Sequence, residues 1–256
     1  MLNGERKMSR QKFFFAASLA VFMALALPSQ AQTALDLDIL QKKAVAGDAT
    51  AQFELGYADD MLGSPTNKDK WAEAEKWYRK AASLGVAGAE YHLGELFSLG
   101  RGVEKNDAEA RKWHRLAAEQ GHADAQGAVG TDYQTANDNK NALPWLLKSA
   151  DQGARDGFIQ TTLAGIYAQG VNGVNADPKE AYFWFALAAH APYADRHFIL
   201  WRNHAARYLK PAELAEQDKR VEEWKPHPTK VTLATQAAEN AVNDMIERMN
   251  APLKKK

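Results

Sequence analysis

Seven histidines, an even count of acids and bases, and no cysteine bound the chemistry open to this 256-residue chain. Without a thiol there is no cysteine nucleophile, no thiolate metal ligand and no disulfide. His197 and His204 stand two helical turns apart, about 10 Å along a helix, too far to share one zinc ion bound at about 2 Å. His122, in QGHADAQ, reads as a turn residue, and His92 and His114 as helix residues at the surface or partly packed. HExxH, GxSxG, the phosphate-binding P-loop and GxGxxG are all missing, so no known constellation of nucleophile, base or metal is spelled out. The acid-rich run from Glu213 to Glu223 reads as a solvated helix face. These residues point to a protein that is not an enzyme and holds no cofactor and no metal.

Lys+Arg and Asp+Glu are both 32, so no basic excess would draw nucleic acid. The first 31 residues differ from the rest. Arg6, Lys7, Arg10 and Lys12 precede an uncharged apolar run from Phe13 to Leu27, and Ser29 and Ala31 follow. That order predicts a secretory signal peptide cut after Ala31, with Met8 as the natural start. A run of that length spans about 22 Å, short of a hydrocarbon core of about 30 Å, so no stable membrane insertion is expected after cleavage. The sequence therefore points to a periplasmic or secreted protein. Its remaining residues carry a small negative net charge and must be stable through packing alone.

Three markers recur along the chain. Gly47, Gly85, Gly121 and Gly153 each close a small-residue segment. Leu55-Gly56, Leu93-Gly94, Val129-Gly130 and Leu163-Ala164 follow at a similar period, as do Trp77, Trp113, Trp145 and Trp184. A shared period in this range is the signature of a stacked repeat. Each unit reads as two helices. Ala89, Leu93 and Phe97 fall on one face of the first, Gly100 to Gly102 breaks it, and Asp107 is expected to cap the second. Asp177-Pro178-Lys179-Glu180 is a clear helix start. The small residues would let helices approach closely, and the tryptophans would fill the wider gaps between layers.

The stretch LGELFSLGRGVEKNDAEARKWHRLAAEQGHADAQ resembles a Sel1-like repeat, a relative of the tetratricopeptide repeat, in a secreted bacterial member of that family. The resemblance covers residues 40–190 as four units, about 40–85, 86–121, 122–153 and 154–191. It implies an all-α, right-handed α-solenoid of helix-turn-helix repeats. The first unit departs from the pattern with MLGSPTNKDK in place of a short glycine turn and with Asp59 in place of an aromatic. The third lacks the glycine turn, and the fourth carries extra residues before Leu163. A further helix from Tyr193 to Tyr208, with Phe198, Trp201, Ala205 and Tyr208 on one side, and one opening at Pro211, with Leu214, Val221 and Trp224 apolar, form a capping pair over 192–225. Lys225 to Pro228 reads as a linker. Leu233, Ala237, Ala241, Met245 and Met249 then mark a weak amphipathic helix in a basic-ended tail, either frayed or a detachable partner-binding segment.

If tetratricopeptide geometry carries over, the positions flanking each Leu-Gly pair line a concave binding face. They are Phe53, Tyr57 and Asp60, then Tyr91, Glu95 and Ser98, then Thr131 and Gln134. Rings as anchors and carboxylates as acceptors suit an extended peptide or a sugar chain. The resemblance implies a protein-protein interaction module, an adaptor or regulator in the cell envelope with a protein or peptide partner. A binder of envelope polysaccharide or peptidoglycan is the alternative, and a hydrolase with an unrecognised site comes third.

Overall fold

The computed structural model describes residues 29–153, 157–170, 172–190 and 194–251. The Met8 start and the expected signal peptide up to residue 28 fall outside the described residues, as does Tyr193, while the last three residues of that peptide, 29–31, lie in the first described helix. Twelve helices are described: α1 Ser29–Val45, α2 Ala49–Leu62, α3 Lys68–Ser83, α4 Ala87–Leu99, α5 Asp107–Glu119, α6 Ala123–Thr135, α7 Asn139–Asp151, α8 Phe158–Gln169, α9 Pro178–His190, α10 Arg196–Ala206, α11 Pro211–Glu223 and α12 Lys230–Asn250. Four pairs, α2–α3 to α8–α9, stack in order as an α-solenoid. α1 is an additional helix ahead of the first pair, which begins at Ala49 and not at residue 40.

The turns between units explain the glycine markers. Gly47, Gly85, Gly121 and Gly153 all hold φ between 76° and 98°, a left-handed conformation that side chains with a Cβ rarely adopt. Within the second pair Gly100 and Gly102 are also left-handed. The Asn106 carboxamide, rather than Asp107, caps α5 by accepting from the N–H groups of Ala108 and Glu109 at 3.1 Å. Where the third pair lacks glycine, Asn137 takes the left-handed position at φ 58°, and Asp138 caps α7. Asp177 accepts from Lys179 and Glu180 ahead of α9, with Pro178 first in the helix.

The close approach inside each of the first three pairs falls on one side chain of the second helix. A Cβ on Gly56 would meet the Tyr78 ring at 2.7 Å, one on Gly94 the His114 ring at 2.3 Å, and one on Gly130 the Leu146 side chain at 2.7 Å. In each case the glycine receives the residue after the tryptophan. Trp77 and Trp145 instead lie partly buried, with the ammonium groups of Lys80 and Lys148 over their rings at 4.0 and 4.8 Å. In the fourth pair Trp184 is itself buried, edge-on to Phe183.

At the far end α11 closes on α9. The guanidinium of Arg220 pairs with Glu180 and lies 3.7 Å from the Phe183 ring. Tyr182 donates its hydroxyl to Asp218 at 2.5 Å. Burial, with that hydrogen bond, pushes the phenol up to about 12. α10 buries only Ala205 and leaves Trp201 exposed, as is Tyr208 in the turn after it, so the side expected to pack is half in solvent.

The tail is the largest departure. α12 is a 21-residue helix that folds back over the first helices of the stack and packs against α2, α1 and α4. Its buried stripe is Thr232, Thr235, Ala238, Glu239, Val242 and Met245. Leu233, Ala237 and Ala241, expected on the apolar side, are exposed. The docked face won because it includes polar side chains with partners elsewhere in the fold.

Candidate functional site

The first helices α2, α4, α6 and α8 present one face, and α12 occupies part of it. At the start of α12, Thr229 and Thr232 both donate to the carbonyl of Gly121, at 2.9 and 3.3 Å. The Gln152 carboxamide sits between them. Its oxygen accepts from Thr232 Oγ1 at 2.7 Å and from Thr229 N–H at 3.0 Å, and its nitrogen donates to Gly121 O and to Gln126 Oε1. Ala123 N–H, an orphan donor of the first turn of α6, is satisfied by Thr232 Oγ1 at 3.1 Å. Nearer its middle α12 sets Thr235 against Gly88 and pairs Glu239 with His92 at 2.9 Å. Near its end Arg248 reaches Asp36 of α1 at 3.0 Å.

Beside α12 a cleft of about 410 Å3 remains, lined by Tyr57, Tyr91, His92, Asp124, Gly127, Ala128, Thr131, Ser149, Phe158, Ile159 and Glu239. Three of the residues expected to bind, Tyr57, Tyr91 and Thr131, meet there. Tyr57 is nearly buried at 9% exposure, so little of it is open to the cleft. Tyr91 is half-buried, stacked on His122 at 4.9 Å between ring centroids. Thr131 donates to Gly127 O at 2.9 Å. Ser149 Oγ is fully buried and has no hydrogen-bond partner among the described residues. Phe158 is 51% exposed at the opposite side. His92, Asp124, Ser149, Phe158 and Glu239 were not foreseen; only the Trp145-x-x-x-Ser149 spacing, which echoes Trp113-x-x-x-Ala117, hinted that Ser149 faces inward.

Phe53 does not join the cleft. It is 2% exposed, packed on Tyr57, Tyr78 and His92, with its ring tip toward Gly88. Asp60 and Glu95 belong to a second, partly buried polar group with Tyr78, His92, Arg101 and His114. Tyr78 donates to Asp60 Oδ2 at a long 3.4 Å, while Oδ1 is buried without a partner. Burial raises the Asp60 carboxyl above its ordinary range, although His92 and Arg101 pull the other way. Glu95 is held low by His114, whose Nε2 lies 3.2 Å away but off the line of a good hydrogen bond. Ser98 and Gln134 are half-buried and do not line the cleft.

Asp60 gives a pH prediction with a definite sign. A carboxyl raised on folding supports the fold below its unfolded value and loses that support as pH rises through the folded value. Asp60→Asn is therefore expected to melt above the parent at pH 7, with the gap closing as pH falls through the raised range of the folded carboxyl and gone by about pH 4. Thermal melts across that range check it; a gap that widens toward acid would show that the attraction of His92 and Arg101 outweighs burial.

Among the described residues no three histidine or acidic side chains converge on a common point. None of the described helices is long and apolar enough to cross a membrane.

The Sel1 repeat family matches residues 49–86, 87–122, 127–153 and 162–193, together just over half of the chain. No curated protein matches. Among solved structures, the chain is similar to a protective antigen present in uropathogenic Escherichia coli strains and displaying an SLR fold. Identity there is 23%, with a TM-score of 0.46, over 89% of this chain and 53% of that one, so the chain spans about half of that protein's length. It is also similar to a Sel1 repeat protein from Oxalobacter formigenes, at 36% identity and a TM-score of 0.42, over 46% of this chain and 91% of that one.

Proposed function

This chain belongs to the Sel1 repeat family of protein-protein interaction modules, and from that premise we propose that it is an exported adaptor or regulator of the cell envelope, periplasmic or secreted. On this reading an extended peptide segment of its partner lies on the face made by the first helices, in the cleft between α12 and the Tyr91, Thr131 and Phe158 side chains. The observation that carries the reading is the cleft itself. It combines an exposed aromatic ring, Phe158, and a half-buried one, Tyr91, in one recess. Rings of this kind anchor peptide side chains.

The test is capture from envelope extract. Tagged full-length protein is expected to retain a defined protein, and Phe158→Ala with Thr131→Ala to lose most of it, about tenfold or more, because each side chain bears on the same bound segment. Both positions lie outside the close-packed core, so circular dichroism should show an unchanged fold. Undiminished capture by the double variant would remove the cleft from the proposal. Retention on peptidoglycan without any captured protein would overturn the adaptor reading.

A further inference from the structure

We infer that α10 is a docking surface for an anionic lipid bilayer, on which the C-terminal end of the stack rests without crossing it. The inference goes beyond the adaptor reading and makes no use of the cleft.

α10 is a helix that the fold covers on one side only. It packs on α9, and Ala205 is its one buried residue. Phe198 lies against Gly157, and the Trp201 ring leans on Phe185 and Phe198 with centroids 5.8 and 6.0 Å apart. Outward, Ile199, Leu200, Trp201 and Tyr208 are 42, 55, 46 and 66% exposed. Single exposed apolar side chains are ordinary, but a group of them within three helical turns marks an interaction surface. Among the described residues Trp201 is the one exposed tryptophan and Tyr208 the one exposed tyrosine.

Charge says what covers that surface. From Arg196 to Ala212 the chain has no acid, while Arg196, Arg202, Arg207 and Lys210 are cations, in a protein whose acids and bases balance at 32 each. The acids on either side are engaged already, Asp195 by His197 at 2.7 Å and Glu213 by Lys179 at 3.4 Å. At 100° per residue Arg196, Leu200 and Arg207 fall on one line, with Ile199 beside it. Long guanidinium side chains therefore alternate with shorter apolar ones on an exposed ridge. At a bilayer the guanidiniums reach phosphate level while Ile199 and Leu200 enter the acyl boundary, and Trp201 and Tyr208 sit at the depth their rings favour. The 11 residues of α10 reach only about 16 Å, so the helix lies on the surface.

The test is co-sedimentation with vesicles of equal parts phosphatidylglycerol and phosphatidylcholine, and with vesicles of phosphatidylcholine alone. The full chain is expressed and purified as the cell processes it; residues 1–31, where retained, are common to every variant and hold no tryptophan. At about 0.1 M salt the wild type is expected to bind anionic vesicles tenfold or more tightly than neutral ones. Arg196→Gln with Arg207→Gln, and separately Ile199→Ser with Leu200→Ser, should each weaken that binding by about tenfold. All four side chains are exposed, so melting should be unchanged. Brominated lipid in the anionic vesicles should quench tryptophan fluorescence, and Trp201→Phe should remove most of the quenching. No binding by wild type, equal binding to neutral vesicles, or quenching that survives Trp201→Phe overturns the inference, as do double variants that bind like wild type. Self-association, or capture of an acidic protein, that Ile199→Ser with Leu200→Ser abolishes while vesicles go unbound would give the face to a protein instead. Phe158→Ala with Thr131→Ala should bind vesicles as wild type does, so loss of the cleft and loss of the lipid surface are read separately.

Discussion

Gly94→Ala is expected to lower the stability of the chain by about 1–3 kcal/mol, the range found when a methyl group is forced into a packed contact. The opposing gain in helix propensity is at most about 1 kcal/mol. The collision decides the sign. The new Cβ would lie 2.3 Å from Cδ2 and 2.5 Å from Nε2 of His114, and the imidazole has little space to retreat. It is buried, with Glu95 at its Nε2 and the Tyr91 ring 5.5 Å away. A melting temperature lower by several degrees is the expected reading, at roughly 2–4 °C per kcal/mol for a chain of this class. The cause is separable from a general loss of packing. In a cycle with His114→Ala, the second substitution should cost less in the Gly94→Ala background than alone, because the ring being removed is the one in collision. Strict additivity would show that the ring is not what the glycine makes room for.

That glycine was legible as a repeat marker, and the neighbour it serves was not. The Leu-Gly and tryptophan markers share a period, and that is enough to give paired helices, their turns and the solenoid. The tryptophan draws the eye as the largest residue, yet its period equals that of the residue after it. Tyr78, His114 and Leu146 differ so much in chemistry that no pattern joins them, although all three fill the same place. Asn106 and Asp107 are both good caps, and only backbone geometry chooses between them. The candidate face was read through helix position alone. Position is enough to bring Tyr57, Tyr91 and Thr131 to one cleft, but it could not foresee that α12 and Gly88 close over Phe53. The stripe of α12 was hidden for a further reason. Three of its six members are polar, so a search for apolar spacing settles on the exposed Leu233, Ala237 and Ala241. What makes Thr232 and Glu239 inward-facing lies more than a hundred residues away, at Ala123 and His92.

Gln152→Leu carries the second large expectation, because one carboxamide ties α12 to two inter-repeat turns. Its oxygen takes the Thr229 N–H and the Thr232 hydroxyl, and its nitrogen serves Gly121 O and Gln126 Oε1. Leucine keeps the volume and removes all four bonds. Gly121 O retains the two threonine hydroxyls. Thr229 N–H and Gln126 Oε1 lose a partner, each at roughly 1–3 kcal/mol when water cannot replace it. The solenoid can escape most of that cost by letting the start of α12 lift into solvent, so the loss should be local. Amide exchange across Lys230–Asn250 is expected to accelerate by tenfold or more, about 1.4 kcal/mol per decade, while α4 and α5 keep their protection. Thr229→Val should do the same more weakly, since a helix cap is worth about 1 kcal/mol. If protection along α12 stays at the parent level in both variants, the apolar stripe at Ala238, Val242 and Met245 holds the helix alone. If exchange rises equally through α4 and α5, Gln152 supports the stack itself, and α12 is then one more layer of the core and not a separable helix.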